Sequence, residues 1–148
     1  MRGKHSSRGN QIFTILFAVY IAAVLRITIF RSGFQITRMF QGGQWNLTLF
    51  QAYVPLIRQQ NWHRFIYLFA GNIVWFVPFG VYLQYKKRAD SILRISAYGF
   101  LFSLMIETLQ YVFGTGYSEL DDLILNTLGA GLGAGFIKHA MRHLSSNT

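Results

Sequence analysis

The chain has 148 residues, of which 52% are hydrophobic and only 13% charged, with mean hydropathy +0.30. That balance excludes an ordinary soluble domain of this size, and the length suits one small domain. With no cysteine, a disulfide framework, a zinc–thiolate centre and a cysteine nucleophile are all excluded.

The net charge of +9 raises nucleic acid as a partner, but the basic residues bunch at the edges of apolar runs. Such flanking lysines and arginines belong to a membrane protein, so no nucleic-acid partner is expected. Residues 1–11 read as a short, disordered, basic tail carrying Arg2, Lys4 and Arg8. Residues 12–30 form the first apolar run, long enough to cross a bilayer. Arg26 lies inside it and no small-x-small cleavage site follows, so it reads as an uncleaved helix rather than a signal peptide.

Residues 31–65 read as a loop with Gly42-Gly43, Pro55, Trp45 and Trp62, and a loop this long is often functional. Within it Leu49–Ile57 is apolar but too short to span. It reads as an interfacial or re-entrant piece, with the tryptophans at headgroup depth. Residues 66–85 form the second span, with Asn72 inside it and a kink expected at Pro78. A basic loop, Lys86-Lys87-Arg88, leads to the third span at 92–113. A turn and an acidic stretch, Glu119, Asp121 and Asp122, lead to the fourth span at 121–141. Residues 142–148 form a polar tail.

The expected fold is therefore all-α: one membrane domain of four transmembrane helices. The loop after span two carries three cations; the loop after span three carries none and three acids. The positive-inside rule then puts both termini in the cytoplasm and the 31–65 loop outside. Arg31, Arg38, Arg58 and Arg64 run against that rule, but the two short loops differ so sharply in charge that they decide it.

With this topology the costly polar residues converge. At about 1.5 Å per residue, Asn72 and Glu107 each lie roughly 9 Å below the outer surface. Arg26, Gln110, Asp122 and Asn126 fall in the same outer third. Ser96, Ser103, Glu107 and Gln110 share one stripe of span three; Asp122, Asn126, Gly129 and Gly133 share one stripe of span four. Gly131 and Gly135 lie on the far side of span four, so neighbours can approach it from both sides. Span four is expected to be central, with its Asp122/Asn126 face against Glu107. The polar pocket is expected between spans two, three and four, partly covered by the outer loop.

The motifs Asn72-Ile73-Val74-Trp75-Phe76-Val77-Pro78-Phe79-Gly80, Glu107 with Gln110, and Asp122-Leu123-Ile124-Leu125-Asn126-Thr127-Leu128-Gly129 match three signatures in order and spacing. They resemble the N-x-x-x-F-x-P-x-G, E-x-x-Q and D-x-x-x-N-T-x-G stretches of the VanZ-like family. In the first loop Asn46-Leu47-Thr48-Leu49-Phe50 has Leu49 where the family's N-L-x-P-F element has proline. The resemblance implies a small bacterial plasma-membrane protein of the cell envelope and a teicoplanin-resistance class of phenotype. It implies no agreed reaction.

The residues leave several roles open. Glu107 with Gln110 suits either a polar headgroup or general acid/base chemistry; equally, Glu107 ties helices together through Arg26 or Asn126. Asp122 is a candidate catalytic partner or an N-terminal cap of span four. Clustered acids suit a divalent cation, but adjacent helix residues diverge by about 100°, so no metal site is assigned. Asn72 and Asn126 suit interhelical hydrogen bonds or ligand contact. Arg26 suits Glu107 or a phosphate.

Candidate binding residues are thus Arg26, Asn72, Glu107, Gln110, Asp122 and Asn126. No cofactor is expected. Expected partners are membrane lipid and an anionic envelope glycolipid or lipoglycopeptide, with the small-residue stripes also fitting a homo-oligomer face. The leading reading is an envelope protein binding or acting on lipid-linked molecules. The alternatives are an intramembrane enzyme with Glu107 as acid/base, and a structural or assembly protein.

Overall fold

The computed structural model describes residues 2–30, 34–88 and 90–146; the side chains of residues 2–7, 38, 145 and 146 are not described. The tail cations Arg2 and Lys4, and two of the four outer-loop arginines, Arg31 and Arg38, therefore fall wholly or in their side chains outside the described residues. Among the described residues four helices are long and apolar enough to cross a membrane: α1 (Arg2–Thr28), α3 (Trp62–Lys86), α4 (Ile92–Phe113) and α5 (Leu120–Ser146). The chain is an all-α membrane bundle.

Local sequence sets the helix ends. The Asn61 side chain accepts the Arg64 N–H (3.3 Å) and the Ser91 hydroxyl accepts the Arg94 N–H (3.2 Å), capping α3 and α4. Gly114 stops α4 in the left-handed region, φ 59°, where a Cβ is disfavoured. One boundary departs from expectation. Helix α1 begins at Arg2, so the basic stretch before Ile12 is helical rather than a disordered tail. Once an apolar run has nucleated a helix, extending it residue by residue, here by nearly three turns, costs little at each step.

Helix α5 occupies the centre, as the small residues on its two sides require. A Cβ at Gly129 would lie 2.1 Å from the Ile73 carbonyl oxygen, and one at Gly133 2.1 Å from that of Val77. Helix α3 therefore rides directly on this glycine stripe. On the other side Ala130 meets Gly99, and Gly131 meets the Ser96 hydroxyl, so α4 closes in there. Helix α1 packs more loosely. Its inward face puts Phe17 flat on Tyr82, centroids 3.7 Å apart, and its Tyr20 hydroxyl donates to the Trp75 carbonyl (2.5 Å). That carbonyl is next to the Val74 oxygen, which Pro78 leaves without its usual helical donor.

The 31–65 segment is more ordered than a plain loop. After a 3-10 turn at Ile36–Arg38 comes a strand β1 (Gln44–Asn46). It pairs in parallel with β2 (Tyr117–Glu119), in the register Gln44↔Tyr117, Trp45↔Ser118 and Asn46↔Glu119. The close approach needs Gly43, whose Cβ would fall 2.1 Å from the Tyr111 carbonyl oxygen. The apolar stretch expected to lie at the interface becomes a six-residue helix, α2 (Tyr53–Arg58). Its Tyr53 ring is buried edge-on against Phe65 and Phe69. Two turns cannot span, so the segment gains stability by docking on α3 and the α4–α5 turn.

At the opposite end the buried Gln84 amide donates to the carbonyls of Lys87, Arg88 and Asp90, at 3.2–3.5 Å. Lys138 donates to the same Asp90 carbonyl (3.1 Å) and Arg94 pairs with the Asp90 carboxylate (2.6 Å). This clamp folds the basic loop down. Gln84→Leu is expected to remove all three donations while preserving volume, costing about 2 kcal/mol. Hydrogen exchange at the 87–90 amides, compared with that of the α4 interior, measures it.

Candidate functional site

Asn72, Glu107, Gln110, Asp122 and Asn126 line one cleft toward the end of the bundle that carries the β1–β2 pair, with a volume of about 60 Å³. That is room for a few waters or one small polar group. Three helices supply these five side chains. The remaining wall is α1, through Val24, Ile27 and Thr28, together with Trp75, Phe76 and Ile106. The first span is thus part of the site, although its own sequence points there only through Arg26. The loop expected to cover the pocket lines none of it among the described residues.

Each polar side chain has a specific partner. Glu107 is 2% exposed, and its carboxylate accepts the Glu119 N–H (3.0 Å) while its carbonyl accepts the Ser118 hydroxyl (2.6 Å). The Asn72 amide donates to the Asp122 carboxylate (2.5 Å). The Asn126 amide donates to Ser103 (2.8 Å), and the Gln110 amide reaches across to the Thr28 carbonyl (3.2 Å). Span four therefore meets span two through Asp122 and span three through Asn126, not span three through one shared face.

Two expectations are corrected by this geometry. Asp122 does not cap its own helix; its carboxylate is taken by Asn72, because α3 lies against the glycine stripe that begins about two turns further along. Arg26 is exposed, stands outside the cleft and donates to the Phe30 carbonyl at the end of its own helix. The unmet carbonyls of a helix C-terminus attract a nearby cation.

Two residues outside the candidate set belong to this end: Asp121, read from sequence only as one of a cluster of acids, and Tyr53. Asp121 is 1% exposed, and both of its oxygens accept the Phe50 N–H (2.9 Å each). Phe50 has φ 57°, and its carbonyl accepts the Tyr53 and Val54 N–H groups, which starts α2. Tyr53 then stands with its hydroxyl within hydrogen-bonding reach of Asn72. Burial pushes the Tyr53 phenol up, and the charges of Asp122, Asp121 and Glu119 push it further, so it stays protonated. The only signal in sequence was the spacing of Phe50 and Tyr53 before Pro55.

The three acids of the β2–α5 turn thus diverge, as adjacent positions must. Glu119 points to Asn46, Asp121 to the Phe50 backbone and Asp122 to Asn72. Burial raises the Glu119 carboxyl above its usual 4.5; the Asn46 side chain opposes this and the charge on Asp121 adds to it. A raised native value means that the folded chain holds this proton more tightly than the unfolded chain. The favourable contribution is then full at acid pH and is lost as pH rises from about 4.5 through the native value. Glu119→Gln is expected to flatten that part of the curve. Its thermal midpoint at neutral pH should equal or exceed wild type, while at pH 4 the two should converge. Melting profiles across pH 4 to 8 check this.

The comparisons with known proteins bear on the same elements. The family model VanZ/LLP1 matches residues 17–142, from α1 through α5. Protein VanZ of Enterococcus faecium is 27% identical over 143 residues, covering 97% of this chain and 80% of that protein. No solved structure matches the chain. The matched region holds spans two and three whole, most of spans one and four and all six candidate positions, and the chain belongs to the VanZ-like family.

Proposed function

We propose that the outer cleft binds one polar group of a cell-envelope amphiphile, a lipid-linked molecule or a lipoglycopeptide, in the manner of a teicoplanin-type resistance protein. The observation that carries this reading is the meeting of five polar side chains from three helices in one small cleft. Such residues are expensive inside a bilayer and are typically functional. Ile27 and Trp75 line the cleft and are half exposed, so its mouth faces lipid rather than bulk water. Two carboxylates among three amides favour a ligand group that donates hydrogen bonds: a hydroxyl, an amide N–H or an ammonium. The exposed Arg58 and Arg64 suit an anionic part of the same ligand outside the membrane.

The reading places both termini in the cytoplasm. Lys86, Lys87, Arg88 and Lys138 gather at one end of the bundle, whereas Glu119, Asp121 and Asp122 gather at the other. A chain without cysteines makes the test clean. An impermeant maleimide should label Gln44→Cys on intact cells and Arg88→Cys only after permeabilisation. The reverse pattern overturns the orientation.

Function is tested by teicoplanin and vancomycin susceptibility in a sensitive Gram-positive host. The strains express wild type, Glu107→Gln or Asp122→Asn at matched membrane levels. Wild type should lower teicoplanin susceptibility selectively, and both variants should lose the effect. Variants as effective as wild type would show the cleft to be only a helix-tying network.

A further inference from the structure

A second open site lies on the outer surface, beside the cleft and separate from it. The β1–β2 pair, with Gln51 and Ala52 preceding α2, walls a groove of about 400 Å³. The parallel register puts Gln44, Asn46, Tyr117 and Glu119 on one face of the ribbon, since paired residues share a side. Trp45 pairs with the buried Ser118 and so alternates to the other face, where its ring lies 5.0 Å from that of Tyr111 and backs the ribbon.

The chemistry of this lining is narrow. Three primary amides and one carboxylate stand beside one large aromatic, Tyr117, which is 63% exposed. None of the lining residues is a cation, which disfavours phosphate and other anions. Each amide both donates and accepts, as paired hydroxyls demand. Aromatic rings carry a negative face that receives polarised C–H groups. Fixed amides beside an accessible ring fit a pyranose, which is polar around its rim and apolar across its faces.

We propose that this groove is a binding platform for a neutral pyranose, carried by the ligand whose polar group enters the cleft. The saccharide part stands on the groove itself; only the link to a membrane-borne ligand rests on the reading of the cleft. The two sites share one residue. Glu119 lines the groove with its side chain, and its N–H holds the Glu107 carboxylate that lines the cleft. A sugar on the ribbon and a donor group in the cleft are thus held on opposite sides of a single peptide.

The test uses the full chain in phosphatidylcholine nanodiscs, prepared without sugar-headed detergents, which would compete. Saturation-transfer NMR titrations employ two soluble probes, maltotriose and a β-1,4-linked N-acetylglucosamine trisaccharide. Wild type should bind at least one saturably. Tyr117→Leu should weaken binding at least about tenfold, with a thermal midpoint near wild type to show that the ribbon stays docked. Gln51→Ala, an exposed position, should weaken it without any folding consequence. Asp122→Asn should leave it within about twofold.

No saturable binding of either probe, binding unchanged in both groove variants, or displacement of the probe by inorganic phosphate would overturn the platform. A final arm compares maltose in solution with a maltosyl diacylglycerol in vesicles of phosphatidylcholine. Tighter binding of the lipid-linked form supports a membrane-borne ligand. Equal affinity overturns that link and leaves the platform standing. Loss of the susceptibility phenotype in the cleft variants is read independently, so failure of one site is not failure of the other.

Discussion

Gly133→Ala is expected to destabilise the bundle by about 3 kcal/mol, lowering its thermal midpoint by about 10 °C. The added Cβ would sit 2.1 Å from the Val77 carbonyl oxygen and 3.0 Å from both the Val77 carbonyl carbon and the Val81 nitrogen. All three neighbours are backbone, so no side chain can turn away, and α3 must lift from α5. Gly80→Ala, facing the Ala130 carbonyl at 1.9 Å, should be at least as damaging because it opens the same seam from the other helix. Gly71→Ala provides the control. It lies in α3 with nothing within 4 Å of its Cβ, and helix propensity alone should favour it by about 0.5–1 kcal/mol. Thermal unfolding of all three in one detergent separates packing from propensity. Equal midpoints for Gly71→Ala and Gly133→Ala would contradict the seating of α3 on the glycine stripe of α5.

The second large effect is expected at Asp121. Asp121→Ala deletes both acceptors of the Phe50 N–H and leaves that amide without a partner at a left-handed residue. A hydrogen bond to a charged group contributes about 1.5–3 kcal/mol. A non-glycine residue at positive φ relies on such restraints. The cost should fall on the segment around α2 rather than on the whole bundle. Amide exchange at Phe50, Tyr53 and Val54 should accelerate by about a hundredfold, while that of the α3–α5 core stays unchanged. Asp121→Asn should fall between the two, because its carbonyl keeps one acceptor. Tyr53 stands beside Asn72 and Asp122, so Asp121→Ala should also blunt the susceptibility phenotype. Uniform acceleration across the chain would instead make Asp121 a global core residue.

These two sites differ in how far they could be read beforehand. The stripe of Gly129 and Gly133 is written in the helical period, and a small-residue stripe in a span says that something packs there. That α3 packs there, and α4 on the Ala130–Gly131 side, comes from the fold. Asp121 gave no comparable signal. Its partner is a backbone N–H 71 residues away, and backbone donors are the same in every sequence. The parallel pairing of Gln44–Asn46 with Tyr117–Glu119 was hidden for a similar reason. Three-residue strands are too short for a period to show, and their register is set by Gly43 lying against Tyr111.

The sequence by itself determined the four spans, their order and the gathering of Asn72, Glu107, Gln110, Asp122 and Asn126 near one end of them. These depend on run length and on the fixed rise and twist of a helix, both local properties. Tertiary structure alone decided the partners: Asn72 rather than a helix end for Asp122, the Phe30 carbonyl rather than Glu107 for Arg26, and α1 rather than the outer loop as the last wall of the cleft. Rotation and lateral placement of helices arise from many close contacts between distant segments. No local pattern fixes such contacts, so the site's place along the helices could be read in one dimension and its pairings only in three.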